Sequence, residues 1–401
     1  MGASLLMLLS GLLVAYLAVL LVPTALLLLQ LCAAWRTDES PAPPAVARPR
    51  LAVLMPAHDE SAGILAALQS VRAQLGRGDR LLVVADNCTD DTAAVAGAAG
   101  AEVIQRHDAQ RRGKGYALDF GVRHLQADPP EVVVIVDADC SLGPDCLERL
   151  ASTCVQARRP VQALYLMQSP PGAGLKARLA ELAWVVKNQA RPLGYRRLGL
   201  PCQLMGTGMA FPWALISAAP LASGHLVEDL QLGLDLASTG TPPLFCPQAR
   251  VNSSFPADAT GLATQRTRWE HGHLGVIASH GPRLLWRALA GGQPMLLALV
   301  LDLCVPPLAS LALLLMLGLA AAMVLLPMGG GMLPVALALL SIAMLGTGIL
   351  LAWWRFGRAI VSLKEFLSVP AYVLAKLPIY ARLFKGRQAE WVRTKRDDGS
   401  K

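Results

Sequence analysis

The chain is poor in charged and aromatic residues, and its cysteines form no paired motif. Charged residues make up 16% and aromatic residues 5% of its 401 positions. None of the 8 cysteines belongs to a Cys-x-x-Cys pair, so the sequence indicates neither a structural zinc site nor a disulfide framework. We therefore expect reduced thiols, as in a cytosolic domain.

The signatures of common nucleotide-binding enzymes are also missing. Gly206-Thr207-Gly208 is followed by Phe211, where a dinucleotide-binding loop carries its third glycine. No Gly-x-x-x-x-Gly-Lys-Ser/Thr segment occurs in the chain. The sequence therefore excludes a dehydrogenase of the dinucleotide-binding type and a P-loop nucleotidase.

The basic charge balance does not indicate nucleic acid as a partner. The formal net charge is +8, but the basic residues cluster beside apolar runs, and no basic helix is interleaved with aromatic residues. Membrane lipids with anionic headgroups are the partners that this distribution favours.

Long apolar runs dominate both ends of the chain, which is 54% hydrophobic with a mean hydropathy of +0.45. Leu5 to Trp35 carries no charge and exceeds the roughly 20 residues that span a bilayer. It is too long, and lacks the charged start, for a cleaved signal peptide. Two later runs, from Met295 to Leu326 and from Met332 to Trp354, are separated by a short Pro/Gly turn and predict a membrane hairpin.

The basic residues orient these predicted spans. Arginines follow the first and third apolar runs and precede the second, whereas the turn inside the hairpin has none. By the positive-inside rule the central region and the C-terminus lie in the cytoplasm, with the N-terminus outside. We therefore expect a multi-pass protein of the cell (inner) membrane with a cytoplasmic catalytic domain.

The region from Leu51 onward alternates strand and helix patterns. Short Val- and Leu-rich runs predict strands, and the segments between them have helical character. This alternation predicts an α/β domain with a doubly wound parallel sheet, in which ligands bind beyond the carboxyl ends of the strands. The predicted strands cover 51–55, 81–85 and 132–136, and the predicted helices cover 61–74 and 91–99.

Each predicted strand ends on polar residues, of which Asp137 and Asp139 are the most informative. Because they lie two positions apart on an extended stretch, both carboxylates can face a divalent cation that carries a diphosphate. An aspartate at a strand end also commonly caps the next helix, which is our explanation for Asp90 or Asp91. Asp-x-Asp alone is a weak motif, but its position after Val132 to Val136 favours the metal-binding interpretation.

Seven short motifs follow one another along this central region. They are Pro56-Ala57-His58-Asp59-Glu60, Asp86-Asn87, Gly113-Lys114-Gly115, Asp137-x-Asp139, Gly206-Thr207-Gly208, Glu228-Asp229 and Gln265-x-x-Arg268-Trp269. In this order and approximate spacing they resemble the family 2 glycosyltransferases, from about Leu51 to Leu274. The sequence looks like the membrane-integrated branch, which includes cellulose, hyaluronan and chitin oligosaccharide synthases and ceramide glucosyltransferases.

The resemblance implies a GT-A (Rossmann-like) fold, a nucleotide-diphosphate sugar as donor, usually a UDP-sugar, and Mg²⁺ or Mn²⁺ as cofactor. It implies that Asp59, Glu60 and Asp86 lie at the nucleoside, with Asp86 at the base. It also implies that Lys114 approaches the diphosphate, for which an ammonium is a suitable point charge. A solvated loop charge is the alternative for Lys114.

The same resemblance implies Asp139 as a direct metal ligand, with Asp137 either coordinating the metal or holding the nucleotide. Asp229 matches the family's catalytic base, the carboxylate that takes the acceptor hydroxyl's proton in an inverting transfer. The preceding Glu228 is not expected to be the base. Val227 departs from the family pattern, because a threonine is common there in the best-known synthases.

Gln265, Arg268 and Trp269 have the helical spacing i, i+3 and i+4, so their side chains share one face. By the resemblance, the arginine can bind the diphosphate and the tryptophan gives a flat surface for a sugar ring. An interfacial helix with an aromatic anchor is the alternative. His271 and His273, which follow closely, are expected to be ordinary polar surface.

Two amphipathic regions, 274–289 and 359–384, predict helices that lie in the cytoplasmic membrane interface. The tail from Trp391 to Lys395 loosely resembles the gating segment of processive synthases, with a solvated basic tail as the alternative. The predicted divisions are an N-terminal transmembrane helix (1–35), a linker (36–50), the catalytic domain (51–274), an interfacial helix (275–294), a transmembrane hairpin (295–354), and an interfacial helix with a cytoplasmic tail (355–401).

The sequence leaves the acceptor open. One hypothesis is extension of a growing polysaccharide, for which an oligomer or an export partner is required if three spans form too small a channel. The other is transfer of a single sugar to a lipid such as ceramide or polyprenyl phosphate. A membrane protein that binds a nucleotide sugar without chemistry is disfavoured, because a binding module has no need of a base at Asp229.

Overall fold

The computed structural model describes residues 2–35, 48–225, 227–256 and 259–368, except for the side chains of 2–3, 259–268, 270 and 271. Most of the predicted linker, the predicted helix beyond residue 368 and the tail from Trp391 to Lys395 therefore lie outside the described residues. Eight strands form the central sheet. They are β1 (Leu51–Ala57), β2 (Arg80–Asp86), β3 (Glu102–Arg106), β4 (Val132–Ile135), β5 (Ser141–Leu142), β6 (Val161–Gln168), β7 (Met209–Pro212) and β8 (Leu244–Ser254).

The sheet has a parallel half and a mixed half, in the order β3-β2-β1-β4-β7-β6-β8-β5. The first four strands are parallel, and Val53 of β1 pairs with both Leu81 of β2 and Val134 of β4. Strand β7 then runs antiparallel to both β4 and β6, while β8 is parallel to β6 and β5 antiparallel to β8. The parallel half confirms the doubly wound α/β domain that the sequence predicts.

Helices cover both faces of the sheet and continue beyond it. They are α1 (Gly2–Ala33), α2 (Ile64–Arg72), α3 (Thr92–Ala98), α4 (Lys114–Leu125), α5 (Cys146–Ala157), α6 (Leu175–Val185), α7 (Arg191–Arg197), α8 (Trp213–Ile216), α9 (Glu228–Ser238), α10 (Ala259–Ala290), α11 (Pro294–Leu303), α12 (Leu308–Leu325), α13 (Leu333–Ala352) and α14 (Leu363–Phe366). A π-helical turn, Val186–Ala190, joins α6 to α7.

The α/β domain has one apolar core on each face of the sheet. On one face α2, α3 and α5 pack on the strands, and on the other α4 and α9 do so. Strand β4 is buried along its whole length, which explains why its sequence is a continuous apolar run rather than an alternating one.

Among the described residues, three helices are long and apolar enough to span a membrane: Ser4–Ala33, Leu308–Met328 and Leu333–Gly357. The apolar run that begins at Met295 is divided by Pro306-Pro307 into the short helix α11 and the long helix α12. Proline lacks the backbone donor that a helix interior requires, which accounts for the division.

Two helices differ from the boundaries that the sequence suggests. The amphipathic segment 274–289 is the second half of one continuous helix, α10, which starts at Ala259 and also carries positions 265, 268 and 269. The region from Ala359 contains the short helix α14, capped by Ser362 and Glu365, whose carboxylate also pairs with Arg178 of α6.

The apolar helices and the α/β domain meet around a buried polar cluster. Arg191 of α7 donates to Asp302 of α11 at 2.6 Å and to Gln30 of α1 at 3.2 Å, while Gln30 donates to Asp302 at 2.6 Å. All three side chains are buried. Helices α1 and α7 approach so closely here that a Cβ added to Gly194 would lie 1.9 Å from the carbonyl oxygen of Gln30. One charged cluster thus joins three helices from both parts of the molecule.

Candidate active site

A large cavity lies at the carboxyl ends of β1, β2 and β4, with a volume of about 340 Å³. Parallel strands bring their carboxyl ends to one edge of a sheet, so residues following β1, β2 and β4 meet there. Seven carboxylates and four lysine or arginine side chains line it, which makes the cavity acidic. We call the part formed by His58, Glu60, Asp86 and Asn87 the β1–β2 end, and the part formed by Asn188, Arg191, Gln203, His273 and Asp302 the α11 end.

At the β1–β2 end, Asp86 is held in place from several sides. Its Oδ1 accepts hydrogen bonds from Arg106 Nη1 at 2.6 Å and from Asn87 Nδ2 at 2.9 Å. Its carbonyl oxygen lies 2.7 Å from Nδ1 of His58. Asn87 has a left-handed backbone, with φ of 52°, which turns the chain sharply after β2. The carboxylate predicted to recognise the base is therefore rigidly placed on the cavity wall.

Asp59 and Glu60 have different surroundings. Glu60 lines the cavity, whereas Asp59 is not among the residues of the cavity wall. Oδ1 of Asp59 accepts a hydrogen bond from the backbone N–H of Thr89 at 2.6 Å, which ties the loop after β2 to the loop after β1. A nucleoside contact by Asp59 stays a prediction, and its observed contacts are those of a residue that fixes two loops.

Lys114, the first residue of α4, lies among carboxylates in the middle of the cavity. Its Nζ pairs with Asp137 Oδ1, donates to the carbonyl oxygen of Gly206 at 2.7 Å and lies 4.0 Å from Glu228 Oε1. Burial acts to lower the pKa of Lys114, but the charges of Asp137 and Glu228 outweigh it and the pKa is raised. Lys114 is therefore a fixed, fully charged cation, not a solvated loop charge.

Asp137 and Asp139 converge as their spacing predicts. Their carboxylate oxygens and Cys140 Sγ lie within 4.8 Å of one another, close enough for one ion to contact them. Thr207 Oγ1 accepts a hydrogen bond from the Asp137 backbone N–H at 3.0 Å, and Ser253 Oγ donates to Asp139 Oδ2 at 3.2 Å. Burial raises the pKa of Asp137, against the opposing charge of Lys114.

Glu228 and Asp229 form the first turn of α9 and both line the cavity. Burial, together with the negative charge of Asp229, raises the pKa of Glu228 to about 7. Burial also raises the pKa of Asp229, against the opposing charge of Lys114. A Cβ added to Gly206 would lie 3.4 Å from Asp229 Oδ2, so the loop before β7 closely abuts this carboxylate. The raised pKa makes Asp229 a stronger base than an exposed aspartate.

Trp269 of α10 lies on the cavity wall within a cluster of aromatic rings. Its ring centroid is 4.8 Å from that of Trp184, which in turn packs edge-on against Tyr165 and Phe255. Lys187 Nζ lies 5.5 Å from the Trp184 ring centroid. Positions 265 and 268 belong to the same helix, but the side chains of Gln265 and Arg268 lie outside the described residues.

The α11 end contains polar residues that the sequence analysis did not assign to the site. Asn188 of the π-helical turn and Gln203 have no recognisable local motif, so no sequence signal was available for them. His273 was expected on an ordinary polar surface, and this expectation is wrong, because its ring lines the cavity with a buried Nε2. Burial, with the charges of Lys187 and Arg191, lowers the pKa of His273 to about 4, so the ring is neutral at pH 7.

Comparison with known proteins decides the family. Residues 49–272 match the family model described as glycosyltransferase like family 2, which is more than half of the chain. The protein belongs to the family 2 glycosyltransferases. The family that the ordered motifs predict is therefore confirmed.

Curated relatives of this glycosyltransferase include uncharacterized glycosyltransferases of Mycobacterium tuberculosis and Mycobacterium bovis. Each is 37% identical over 120 residues, which is 28% of this chain and 50% of the relative. The chain thus spans about half the length of the curated relatives it matches.

A solved structure extends the comparison to the whole fold of the glycosyltransferase. The mannosyltransferase PcManGT from Pyrobaculum calidifontis, in complex with GDP-Man and Mn²⁺, is 19% identical with a TM-score of 0.54. The similarity covers 86% of this chain and 98% of that chain. Together with the family match it confirms the predicted GT-A fold.

Proposed function

We propose that the protein is an inverting glycosyltransferase with Asp229 as its catalytic base. The observation that carries this proposal is the convergence of Asp229, Lys114 and the pair Asp137 and Asp139 in one cavity. The acceptor hydroxyl oxygen attacks the anomeric carbon, and the bond from that carbon to the diphosphate oxygen breaks. The hydroxyl proton passes to the Asp229 carboxylate, which its raised pKa favours.

The donor in this proposal is a nucleotide-diphosphate sugar, with a UDP-sugar favoured. Asp86 and Glu60 at the β1–β2 end suit the nucleoside, and Lys114 suits the diphosphate. Lys114 pairs with Asp137 in the structure, so a bound diphosphate competes with Asp137 for the same ammonium.

A divalent cation, Mg²⁺ or Mn²⁺, fits the residues that are present. Seven carboxylates against four lysine or arginine side chains would repel a diphosphate, so the donor requires additional positive charge in this cavity. Asp139 would hold the cation, with Asp137 as a second ligand, and both offer the hard oxygen atoms that these ions prefer. When bound, the ion would neutralise negative charge on the leaving diphosphate.

The acceptor that we favour is the end of a growing polysaccharide. The α11 end of the cavity carries three neutral polar side chains, those of Asn188, Gln203 and His273, beside the ion pair of Arg191 and Asp302, and Trp269 offers a ring surface on which a sugar can stack. A lipid acceptor is the second candidate, supported by the position of this end beside α1 and α11, where Arg191, Gln30 and Asp302 are joined.

We also propose that the protein lies in the cell (inner) membrane with its catalytic domain in the cytoplasm. Three apolar helices of spanning length support membrane insertion, and the arginines beside them support the orientation. Cytoplasmic placement gives the cavity access to nucleotide sugars. Arg358 lies over the ring of Trp354 at 4.7 Å just after the third span, as in an interfacial anchor.

The proposal is tested by sugar transfer in lipid bilayers with purified protein. A panel of radiolabelled UDP- and GDP-sugars is supplied with Mn²⁺ or Mg²⁺, and the products are sized. A ladder of products supports polysaccharide extension, and a single lipid-linked sugar supports the second candidate. Asp229→Asn should abolish transfer while donor binding persists; transfer at the wild-type rate by this variant would refute the assignment of the base.

A further inference from the structure

Three buried side-chain atoms at the α11 end have no hydrogen-bond partner among the described residues. They are Asn188 Oδ1, Gln203 Oε1 and His273 Nε2. All three residues belong to the cavity wall. A buried polar atom without a partner is unfavourable, so three on the wall of one cavity indicate a site completed by a ligand.

The hydrogen bonds of the two amides identify the unsatisfied atoms as acceptors. Gln203 Nε2 donates to the carbonyl oxygen of Leu299 at 2.8 Å, and Asn188 Nδ2 donates to that of Tyr165 at 3.4 Å. Because each amide nitrogen faces a carbonyl oxygen, rotating either amide by 180° would set two oxygens against each other. The free atom of each amide is therefore its oxygen.

His273 presents a third acceptor. The ring of His273 forms a hydrogen bond with the backbone of Leu303. Because Nε2 has no partner among the described residues, Nδ1 is the nitrogen that carries the proton and donates in this bond. The low pKa of the ring keeps it neutral. Nε2 of a neutral ring protonated on Nδ1 accepts a hydrogen bond and cannot donate one.

The backbone around Asn188 supports a binding role. Asn188 lies in the π-helical turn Val186–Ala190, where one extra residue is accommodated between α6 and α7. Such turns interrupt helices mostly at functional sites, since they cost regular hydrogen bonding. Here the turn supplies two residues, Lys187 and Asn188, to the cavity wall.

Two of the three acceptor residues, Gln203 and His273, lie beside α11. Lys114 and Asp137 mark the diphosphate side of Asp229, whereas Gln203 and His273 contact Leu299 and Leu303 of α11. In an inverting transfer the incoming hydroxyl approaches opposite the leaving group, so the α11 end is the acceptor side.

Resting on the proposed function, we propose that Asn188, Gln203 and His273 form a subsite for the hydroxyl groups of a sugar acceptor. Three hydrogen-bond acceptors match a ligand that presents several O–H donors. An anionic phosphate monoester offers acceptors instead and leaves all three atoms unsatisfied. The subsite therefore selects the terminal sugar of a glycan over a lipid phosphate.

The test separates acceptor use from donor use with shape-conserving variants. In Gln203→Met, Asn188→Leu and His273→Phe, the hydrogen-bond acceptor is removed and the volume is largely kept. Purified enzyme in lipid nanodiscs is given its UDP-sugar and Mn²⁺, and UDP release is measured. The acceptor is either a β-linked disaccharide of the donor sugar or farnesyl phosphate. Each variant should raise the KM for the disaccharide roughly tenfold, while the donor KM stays within about twofold.

Gln293→Met is the matched control, because Gln293 Oε1 is also buried without a partner among the described residues but does not line the cavity. It should leave the disaccharide KM unchanged. Equal changes in donor and acceptor KM, or stimulation by farnesyl phosphate alone, would overturn the subsite while the transferase assignment stands. Absence of UDP release from every donor would overturn the proposed function and the subsite with it.

Discussion

The ion pair between Arg191 and Asp302 should contribute strongly to the stability of the junction that joins α1, α7 and α11. Both side chains are buried, and the bond between Nη2 and Oδ1 is 2.6 Å long. Arg191→Met leaves the Asp302 carboxylate buried with Gln30 Nε2 as its remaining side-chain partner among the described residues. Leaving one member of a buried pair without its counter-charge costs about 3–5 kcal/mol.

A double-variant cycle measures how much of this cost comes from the pairing itself. Asp302→Leu alone should destabilise the protein by a similar amount, because it leaves the guanidinium of Arg191 buried without its carboxylate. The combination with Arg191→Met removes both charges, which in buried pairs is often close to neutral. We therefore expect a coupling free energy of about 2 kcal/mol or more.

The assay is thermal unfolding in detergent micelles, followed by near-ultraviolet circular dichroism. At roughly 2 °C per kcal/mol for a large domain, each single variant should lower the Tm by about 6–10 °C. The half-exposed pair Arg80 and Glu102, 2.9 Å apart, serves as a control, and its cycle should give a coupling below about 1 kcal/mol. If the Tm loss of the double variant at the buried pair equals the sum of the single losses, the two charges are not coupled and the reasoning is refuted.

Three further outcomes follow from the cavity. The kcat/KM of transfer should fall as the pH is lowered through about 7, because a proton then binds the Glu228 carboxylate beside Asp229, and Glu228→Gln should move this limb to lower pH; a flat profile between about pH 6 and 8 would contradict it. Asp139→Ala should weaken Mn²⁺ binding at least roughly tenfold in an electron paramagnetic resonance titration, and an unchanged Kd would remove Asp139 from the metal site. Gly206 has a φ of +90°, and a Cβ added there would lie 3.4 Å from Asp229 Oδ2, so Gly206→Ala should lower the free energy of unfolding by about 1–2 kcal/mol and should lower kcat. Gly172 has a φ of +76° and nothing within 4 Å of an added Cβ, so Gly172→Ala should lower the free energy of unfolding by as much without loss of kcat.

The buried strands were predictable because their sequence is apolar on both faces. The continuous run at Val132–Ile135 and those of β1 and β2 are strands within one or two residues of the predicted limits. Strand β3, Glu102–Arg106, was not predicted, since it is a short edge strand with exposed positions and charged ends. The four-residue β7 follows a glycine-rich segment and is defined by its tertiary pairing with β4 and β6.

Part of the candidate site was likewise predictable from the sequence. Asp137 and Asp139 follow a recognisable strand at a spacing that fixes their direction, and Asp229 and Trp269 belong to ordered motifs. The N-cap residue of α3 is Asp91, but its side chain makes no capping hydrogen bond; the Thr92 backbone N–H instead donates to Asp90, one residue before the cap, at 3.0 Å.

The α11 end could not be predicted from local patterns. Asn188, Gln203 and His273 come from three separate segments, and only the tertiary packing brings them to the wall of one cavity. Asp302 gave a partial signal, because a carboxylate in an apolar run requires a partner. The identity of that partner, Arg191, depends on packing that the sequence does not display.

The tight contact between Gly194 and the carbonyl of Gln30 means that the segment matching the family is not a self-sufficient enzyme. A protein that consisted of residues 49–272 alone would expose the surface that α1 covers. The guanidinium of Arg191 would then face solvent without the carboxylate of Asp302. The loss of α11 would also remove Asp302 from the cavity wall. A smaller active version of this enzyme must therefore retain α1 and α11 together with the sheet.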